Sequence, residues 1–233
     1  MGHANRIELE IRGDYALFSD PLTSVGGEKL SYPVPTREAL KGILTSIYWK
    51  PSIIWFPDEL RVMNPVSYDN MGVRQLRWGE GGCDLFEWTV LRDVRYRLRA
   101  HFEWNYNRPE LSSDRNILRH ADGVRRMLRL GGARPVFLGV KRFAAVVSPC
   151  RFDAGEGFYD NAGKQDFGLS YCGITYPDEG YDRLTRSGLS VYYYRCVMEN
   201  GVIRYPRPEE CVSRFVKPME PKRFTEEKQR ELV

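Results

Sequence analysis

The sequence lacks the features that define several large classes of protein. No apolar run reaches the roughly eighteen residues that a membrane-spanning helix needs, and no signal-peptide pattern opens the chain. The five cysteines form no CxxC pair, which argues against a structural zinc site and against a disulfide framework. We therefore expect a cytoplasmic protein with reduced thiols and without membrane contact.

Catalytic signatures are equally scarce. The chain contains no GxxxxGK[ST] phosphate loop, no HExxH zinc motif and no GxSxG nucleophile motif. Only three histidines occur, and His3 belongs to a Met-Gly-His start that is typical of a cloning remnant. The carboxylates form no evident two-metal cluster, so we expect no cofactor and no bound metal. Any phosphodiester chemistry should then be metal-independent.

Positive charge is concentrated in one part of the chain. The net charge is only +4, but residues 91–150 hold thirteen Arg and Lys against five Asp and Glu, and the remaining residues sum to −4. Twelve of the thirteen cations are arginine, whose planar guanidinium pairs with phosphate through two hydrogen bonds. Such a field in a nearly neutral chain is typical of a polyanion site, and nucleic acid is the partner we expect.

The most regular pattern lies between Val94 and Trp104, where apolar and polar residues alternate strictly. Period two predicts a β-strand with one buried face. The other face carries Arg95, Arg97, Arg99 and His101. Contact with RNA phosphates is one interpretation of this face, and a solvated face of an antiparallel sheet is the other.

The first 150 residues predict the order strand, helix, strand, strand, helix, strand. The predicted segments are 7–18, 36–49, 59–66, 85–104, 117–130 and 136–147. Thr36 is the predicted N-cap of the first helix and Pro51 prevents its continuation, while Gly131 and Gly132 end the second helix. This order is the βαββαβ plan shared by ferredoxin-like and RNA-recognition domains, so we expect an α+β fold.

Three regions are expected along the chain. Residues 1–150 form the ferredoxin-like domain, residues 151–216 a small antiparallel β-sheet domain, and residues 217–233 a charged tail. Short β-like runs at 168–176 and 189–199 support the second region.

The basic helix and its surroundings supply further candidates for RNA contact. Its candidate phosphate ligands are Arg115, Arg125, Arg126 and Arg134. Gly131 and Gly132 let backbone N–H groups approach a phosphate closely, although a glycine pair is also an ordinary way to leave a helix. His120, at the start of this helix, is suited to proton transfer near neutral pH, and a structural or solvated histidine is the alternative.

Several longer runs of residues are specific enough to indicate a family. They are Gly13–Pro21, Val25–Tyr32, Leu40–Ile43, Ser46–Pro51, His101–Glu103, Asp114–Asn116, Phe137–Gly139, Gly157–Asp160 and Met198–Gly201. Together these runs closely resemble the CRISPR-associated endoribonucleases of subtype I-C systems, the d subgroup of the fifth Cas family. The similarity extends over nearly the whole chain, from about Leu9 to Phe224.

The resemblance implies a ferredoxin-like domain with a glycine-rich loop, followed by a small β-sheet domain. It also implies metal-free cleavage of the precursor CRISPR transcript at the base of each repeat hairpin, by attack of a 2′-hydroxyl and with a 2′,3′-cyclic phosphate product. The protein would then stay on the 5′ handle of the guide RNA. There it would be a subunit of the interference complex, beside the backbone and large subunits.

The same resemblance implies the catalytic residues. The family's tyrosine on the first helix corresponds to Tyr48 and its histidine on the second helix to His120, whereas Arg119 stands where the family has a lysine. Arginine can stabilise phosphorane charge but cannot act as a base, which leaves proton transfer to Tyr48 and His120. Since a phenol is a poor base, we expect His120 to be the acid or base and Tyr48 a positioning group or proton partner. Core packing is the alternative for Tyr48.

Two other functions stay open at this level. Arginine in place of the lysine is compatible with a non-catalytic subunit that caps the guide RNA. The basic region is also compatible with DNA binding or weak metal-dependent DNase activity, against which the lack of a metal-binding carboxylate set argues.

Overall fold

A computed structural model describes residues 4–20, 23, 27–76 and 81–220. The strands in chain order are β1 (Arg6–Ala16), β2 (Lys29–Leu30), β3 (Ile53–Val62), β4 (Tyr68–Leu76), β5 (Cys83–Trp104), β6 (Val146–Pro149), β7 (Lys164–Thr175), β8 (Gly188–Glu199), β9 (Val202–Arg204) and β10 (Val212–Pro218). The α-helices are α1 (Arg37–Ile47), α2 (Ile117–Arg129) and α3 (Arg183–Arg186), and short 3₁₀ turns cover Pro109–Asp114, Pro177–Glu179 and Pro208–Glu210. Among these described helices, none is long and apolar enough to cross a bilayer.

The strands form one ten-stranded sheet, which is antiparallel apart from the short pairing of β2 with β5. Its main path runs β10-β8-β9-β3-β5-β1-β6, while β2 and β4 pair with β5 and β7 pairs with β8. The fold is therefore mixed α/β, with a large antiparallel sheet and few helices, which confirms the expected α+β class.

Strand β5 organises the centre of the sheet. It is 22 residues long, and its Leu98 lies opposite Leu9 on β1 and Leu60 on β3. All three leucines are fully buried and belong to one hydrophobic core. The buried Leu, Ile and Val residues of α1 and α2 belong to the same core, so both helices cover the apolar face of the sheet.

Two predicted strands differ from the observed ones. Strand β3 occupies 53–62 rather than 59–66. Most of the strand predicted over 136–147 is wrong, because only Val146–Pro149 pairs with β1 and the preceding residues fold back with a single bridge between Phe137 and Ala144. At Gly139, where φ is +87°, an added Cβ would lie 1.8 Å from the carbonyl oxygen of Leu17. A regular strand cannot pass through such a conformation.

Other elements lie close to their predicted positions or were missed. Strands β7 and β8 confirm the runs predicted at 168–176 and 189–199, and the turn between β8 and β9 has positive φ at Asn200 and Gly201. Strand β4 was not predicted. Strand β10 reaches into the predicted tail, of which residues 221–233 lie outside the described part. Since β9 pairs with β3, the strands after residue 150 extend the same sheet, and the domain boundaries stay a prediction.

Candidate functional site

Tyr48 follows the last residue of α1 and has a fixed backbone. Its N–H donates to the carbonyl of Leu44 at 2.9 Å, which closes the last helical turn. Its own carbonyl accepts a hydrogen bond from the indole N–H of Trp55 on β3 at 2.8 Å. The half-buried side chain is thereby held at the end of the helix, where it can reach α2.

His120 lies in the first turn of α2 and is enclosed by aromatic side chains. Only 1% of its surface is exposed. Three rings meet it edge-on, with centroid distances from 5.4 to 6.2 Å: Trp104, Tyr48 and Phe102. In this arrangement a bound molecule cannot touch the imidazole directly, so any proton that His120 exchanges has to pass through a neighbouring group.

Both nitrogens of His120 have a partner. The hydroxyl of Tyr48 lies 2.9 Å from Nδ1, and the backbone carbonyl oxygen of Asp114 lies 2.7 Å from Nε2. A carbonyl oxygen can only accept, so the proton of the neutral ring is on Nε2. Nδ1 is then an acceptor, and the hydroxyl of Tyr48 donates to it. This tautomer makes His120 ready to take the phenolic proton.

The surroundings of Tyr48 keep its hydroxyl protonated. Burial, the largest cause, and the negative charge of Asp114 raise the pKa of Tyr48 above its usual value of 10.0. The positive charges of Arg119 and Arg126 act in the opposite direction on the same pKa. Tyr48 is therefore a poor base by itself and needs a partner that accepts its proton.

A cavity of about 420 Å³ lies on the surface of α2, and Gly123 in its lining contacts Tyr48. Its lining residues are Arg119, Asp122, Gly123 and Arg126. Gly123 packs directly on Tyr48, since an added Cβ would lie 3.0 Å from ring atom Cε2 and 3.3 Å from the hydroxyl oxygen. The side chain of Arg119 is 72% exposed and lies 3.7 Å from the carboxylate of Asp114. The site thus combines the phenol of Tyr48 and the buried imidazole of His120 with two exposed guanidinium groups, those of Arg119 and Arg126.

The loop after α2 packs against the end of α1. The backbone N–H groups of Ala133 and Arg134 donate to the carbonyls of Ile47 and Ser46, both at 3.0 Å. Gly132 has φ of +114°, and an added Cβ there would lie 2.8 Å from the carbonyl of Arg134. The predicted residues Gly131, Gly132 and Arg134 therefore lie next to the chain segment that leads into Tyr48.

The other predicted RNA-contact residues on and near α2 differ in whether their guanidinium groups already have a partner within the protein. Arg126 and Arg134 are exposed and form no ion pair within the described part of the chain. Arg125 pairs with Asp122 at 3.0 Å. Arg115 donates to the carbonyls of Asn105 and Arg108 at 3.2 and 3.1 Å, so its guanidinium mainly holds the turn before α2.

The basic face of β5 is neutralised from the neighbouring strand. Arg95 and Arg97 both donate to Glu10 of β1, which is only 3% exposed. Burial works to raise the pKa of Glu10, but hydrogen bonds from Arg95, Arg12 and Arg97 outweigh it and lower that pKa. The neighbouring strand thus supplies the counter-charge for Arg95 and Arg97, and contact of this face with RNA stays a prediction.

A segment after β6 covers the same face. Arg97 is 8% exposed and donates to the carbonyl of Arg151 at 3.2 Å. Arg99 donates to Glu8 at 3.0 Å and to Glu59 at 2.6 Å, and its guanidinium lies 4.3 Å from the ring centroid of buried Phe152. These arginines therefore hold β5 to its neighbouring strands and to the segment after β6.

His101 also faces carboxylates. Its Nδ1 lies 2.8 Å from Asp58 and its Nε2 lies 3.1 Å from Glu103, which in turn pairs with Arg207. Its ring stacks on Phe56 with a centroid distance of 5.4 Å. The hydrogen bond to Asp58, together with the attraction of both carboxylates, raises the pKa of His101 against the effect of burial.

Three residues of the site were not predicted from the sequence. Asp114 and Ser52 lie behind His120, where Ser52 donates to the carboxylate of Asp114 at 2.6 Å. Gly123 lies in front of Tyr48. Asp114 belongs to a run that resembles the family, which is a usable signal, whereas nothing in the sequence marks Ser52 or Gly123.

Within residues 4–20, 27–76 and 81–220, no group of three or more His, Cys, Asp or Glu side chains is arranged to hold a metal ion.

Comparison with known proteins gives a consistent set of relatives. A family model of the Cas5d type, described as CRISPR-associated protein (Cas_Cas5), matches residues 6–206. A relative from Mannheimia succiniciproducens, named CRISPR pre-crRNA endoribonuclease Cas5d, is 32% identical over 167 residues, which cover 61% of this chain and 71% of the relative. A protein of the same name from Thermus thermophilus is 26% identical over 214 residues, 83% of this chain and 89% of its own. A solved structure described as a CRISPR-associated protein has a TM-score of 0.70 at 30% identity and covers 91% of this chain and 100% of its own.

Because the pKa of His101 is raised in the folded protein, its contribution to the free energy of unfolding should depend on pH. In the unfolded chain the pKa is about 6.5, so the extra stability is fully present below that pH and is lost as the pH rises through the folded-state pKa. We expect His101→Gln to lower the free energy of unfolding by about 1.5–3 kcal/mol near pH 6, the range for hydrogen bonds to charged groups, and by less at pH 9. Urea unfolding of both proteins at several pH values measures this difference. A difference that does not change with pH would contradict the assignment.

Proposed function

The chain belongs to the Cas5d family of CRISPR-associated proteins, and from this premise we propose that it is a metal-independent endoribonuclease that cleaves precursor CRISPR RNA at the base of the repeat hairpin. The observation that carries the proposal is the 2.9 Å hydrogen bond between Tyr48 and His120, next to a cavity flanked by Arg119 and Arg126. The names of the two curated relatives support the substrate. The Tyr48–His120 pair supports the chemistry.

RNA carries its own nucleophile for this reaction. The 2′-hydroxyl next to the scissile phosphate attacks the phosphorus, and the bond from phosphorus to the 5′-oxygen breaks. One product ends in a 2′,3′-cyclic phosphate and the other begins with a 5′-hydroxyl. The protein has to align these atoms, accept the proton of the 2′-hydroxyl and stabilise the charge of the phosphorane.

Tyr48 is the residue that we assign to substrate contact, because His120 is almost fully buried. A proton from the RNA would reach His120 through the hydroxyl of Tyr48. Arg119 supplies positive charge to the phosphorane, and Arg126, seven residues later on the same face of α2, supplies more. Their guanidinium groups stay protonated, so neither acts as the base.

We assign RNA binding mainly to α2 and the loop after it. Arg126 and Arg134 are exposed there, and their charge is not taken up by a carboxylate within the described residues. RNA contact by the predicted β5 residues stays a prediction, and their ion pairs with β1 and β3 weaken it. Those residues are Arg95, Arg97, Arg99 and His101.

We also propose that the first half of the chain has a ferredoxin-like core. Its elements follow the order β1, α1, β3, β5, α2, β6, and the corresponding strands lie side by side in the order β6-β1-β5-β3 with antiparallel neighbours. This is the arrangement that a βαββαβ chain produces when both helices cover one face. The glycine-rich loop of this core would be the segment around Gly131 and Gly132.

After cleavage, the protein would stay on the 5′ handle as a cytoplasmic subunit of the type I-C interference complex, in contact with its backbone and large subunits. A non-catalytic subunit that caps the guide RNA is the second candidate. It is favoured by Arg119, which stands where the family has a lysine. The Tyr48–His120 pair favours the enzyme, since a cap has no need of a buried proton acceptor.

Metal-free cleavage is the direct test of the proposed function. We expect the full-length protein to cut its repeat hairpin in EDTA and to leave a cyclic phosphate, with no cleavage when the scissile 2′-hydroxyl is replaced by hydrogen. His120→Ala should lower the single-turnover rate by about 100-fold or more, the usual contribution of a proton-transfer group, and keep RNA affinity within twofold. DNA of the same sequence should stay intact. Unchanged cleavage by His120→Ala, or cleavage that requires magnesium, would contradict the mechanism.

Gly123 gives a test that does not change any ionisable group. Gly123→Ala should slow cleavage about 10-fold, because its methyl group would press on the ring and hydroxyl of Tyr48. Gly42→Ala on α1 is the matched control, since its Cβ would meet nothing within 4 Å. Both changes raise helix propensity by up to about 1 kcal/mol, and measured Tm values show how far the contact with Tyr48 offsets that gain in Gly123→Ala. Equal cleavage rates for the two variants would show that Tyr48 needs no space at this position.

Substitution of Arg126 tests whether the bound RNA runs along α2. We expect Arg126→Ala to weaken hairpin binding and to reduce the slope of log affinity against log salt by about 0.7–0.9, the change for one lost phosphate contact. Arg195→Ala on β8 is the control, because that exposed guanidinium pairs with Asp166 of β7, far along the sheet. Binding curves at several salt concentrations measure both slopes. The path along α2 is wrong if the two variants change the slope equally.

A further inference from the structure

The carboxylate of Asp114 lies behind the Tyr48–His120 pair and is itself held in place. Its oxygen Oδ2 accepts a hydrogen bond from the hydroxyl of Ser52 at 2.6 Å and lies 3.4 Å from Nε2 of His120. Ser52 is fully buried immediately before β3, so this hydrogen bond is shielded from solvent. The other carboxylate oxygen lies 3.7 Å from Arg119.

We propose that Asp114 is a positioning residue for the reaction, whose carboxylate stabilises the imidazolium that forms when His120 receives the proton of Tyr48. The inference rests on the proposed endoribonuclease function and adds a third member to its proton path. The path then runs from the RNA to Tyr48, from Tyr48 to His120, and ends at a charge pair between His120 and Asp114.

The proton balance of the step is complete. The O–H bond of the 2′-hydroxyl breaks and its proton goes to the oxygen of Tyr48, while the phenolic proton of Tyr48 goes to Nδ1 of His120. The 2′-oxygen forms its bond to phosphorus, and the departing 5′-oxygen takes a proton from water. His120 then returns its extra proton to solvent through Tyr48. Asp114 keeps its negative charge throughout, as the aspartate of a Ser-His-Asp triad does.

Two protons have to move together because of the charges around Tyr48. The charge of Asp114 and burial both oppose a free phenolate, which is why the pKa of Tyr48 is raised. The same charge favours an imidazolium at His120, 3.4 Å away. Asp114 therefore penalises loss of the phenolic proton to solvent and favours its transfer to His120.

The groups that face His120 are few enough to assign this effect. Tyr48 reaches it from the end of α1, and Phe102 and Trp104 of β5 contribute uncharged rings. The preceding turn brings Asp114. Arg119, next to His120 in sequence, is the cation that faces the same carboxylate. Among the described residues that contact the imidazole, Asp114 is thus the one with a negative charge.

Asp114→Asn removes this charge and keeps the shape of the side chain. The backbone carbonyl that accepts from Nε2 is unaffected, so the tautomer of His120 should persist. We expect the single-turnover cleavage rate in EDTA at pH 7 to fall at least 10-fold with hairpin affinity within twofold. The acidic limb of the pH–rate profile should also move to lower pH, because a protonated imidazole loses the carboxylate that stabilises it. Asp166→Asn on β7 is the matched control and should leave rate and profile unchanged.

The outcomes separate this inference from the proposed function. If the wild-type protein binds the hairpin but does not cut it in EDTA, the proposed function fails. If the wild-type protein cuts and Asp114→Asn cuts at a similar rate, or cuts more slowly at every pH with an unmoved acidic limb, Asp114 has only a structural role and the inference is overturned.

A second variant covers the case in which Asp114→Asn does not fold. Ser52→Ala removes the hydrogen bond that fixes the carboxylate and changes little else in a buried site. It should lower the rate severalfold and move the same limb of the profile in the same direction. A wild-type rate and profile for this variant would overturn the inference.

Discussion

The pairing of carboxylates on β1 with guanidinium groups on β5 decides which side of the sheet is available for a ligand. Glu10 is buried and receives hydrogen bonds from Arg12, Arg95 and Arg97. Removing the carboxylate of Glu10 would leave the buried guanidinium group of Arg97 without its ion-pair partner, which is costly. Exchanging these pairs for contacts with phosphate therefore carries a cost, and the segment around residues 151–153 packs over them. The sheet face that corresponds to the RNA-binding face of RNA-recognition domains is therefore partly covered in this protein.

The opposite side of the sheet brings together two residues that are 72 positions apart in sequence. Helices α1 and α2 both pack on the apolar face of the sheet and contact each other, and the end of α1 meets the start of α2. Tyr48 and His120 form their hydrogen bond at this meeting point. The aromatic rings of Phe102 and Trp104 on β5 pack against His120, whereas the exposed arginines of α2 face the solvent. One packing arrangement thus separates the proton acceptor from water and leaves the positive charge accessible.

The sequence predicted local features well and long-range ones poorly. The cap at Thr36, the glycine stop after α2 and the alternation in β5 follow from a few neighbouring residues, and the structure confirms all three. The strand predicted over 136–147 was wrong because apolar content alone did not reveal the fold-back at Gly139. The counter-charges of the arginine face could not be foreseen, because they lie on β1 and β3, at least 40 residues earlier, and only the register of these strands with β5 brings them opposite. His120 was a proton-transfer candidate from the sequence itself and Tyr48 came from the family resemblance, whereas Ser52 and Gly123 depend on tertiary contacts that no local pattern encodes.

The presence of arginine at position 119 fits a mechanism in which proton transfer and charge stabilisation are carried by different residues. A lysine at this position could serve both roles, since a desolvated ammonium group can lose its proton, whereas a guanidinium group cannot. With Arg119 the positive charge next to the phosphate is permanent, and the base has to lie elsewhere. The buried Tyr48–His120 pair meets this requirement, because His120 already holds its proton on Nε2 and accepts from Tyr48 on Nδ1. Substituting the lysine by arginine therefore removes a possible base without removing the path for the proton.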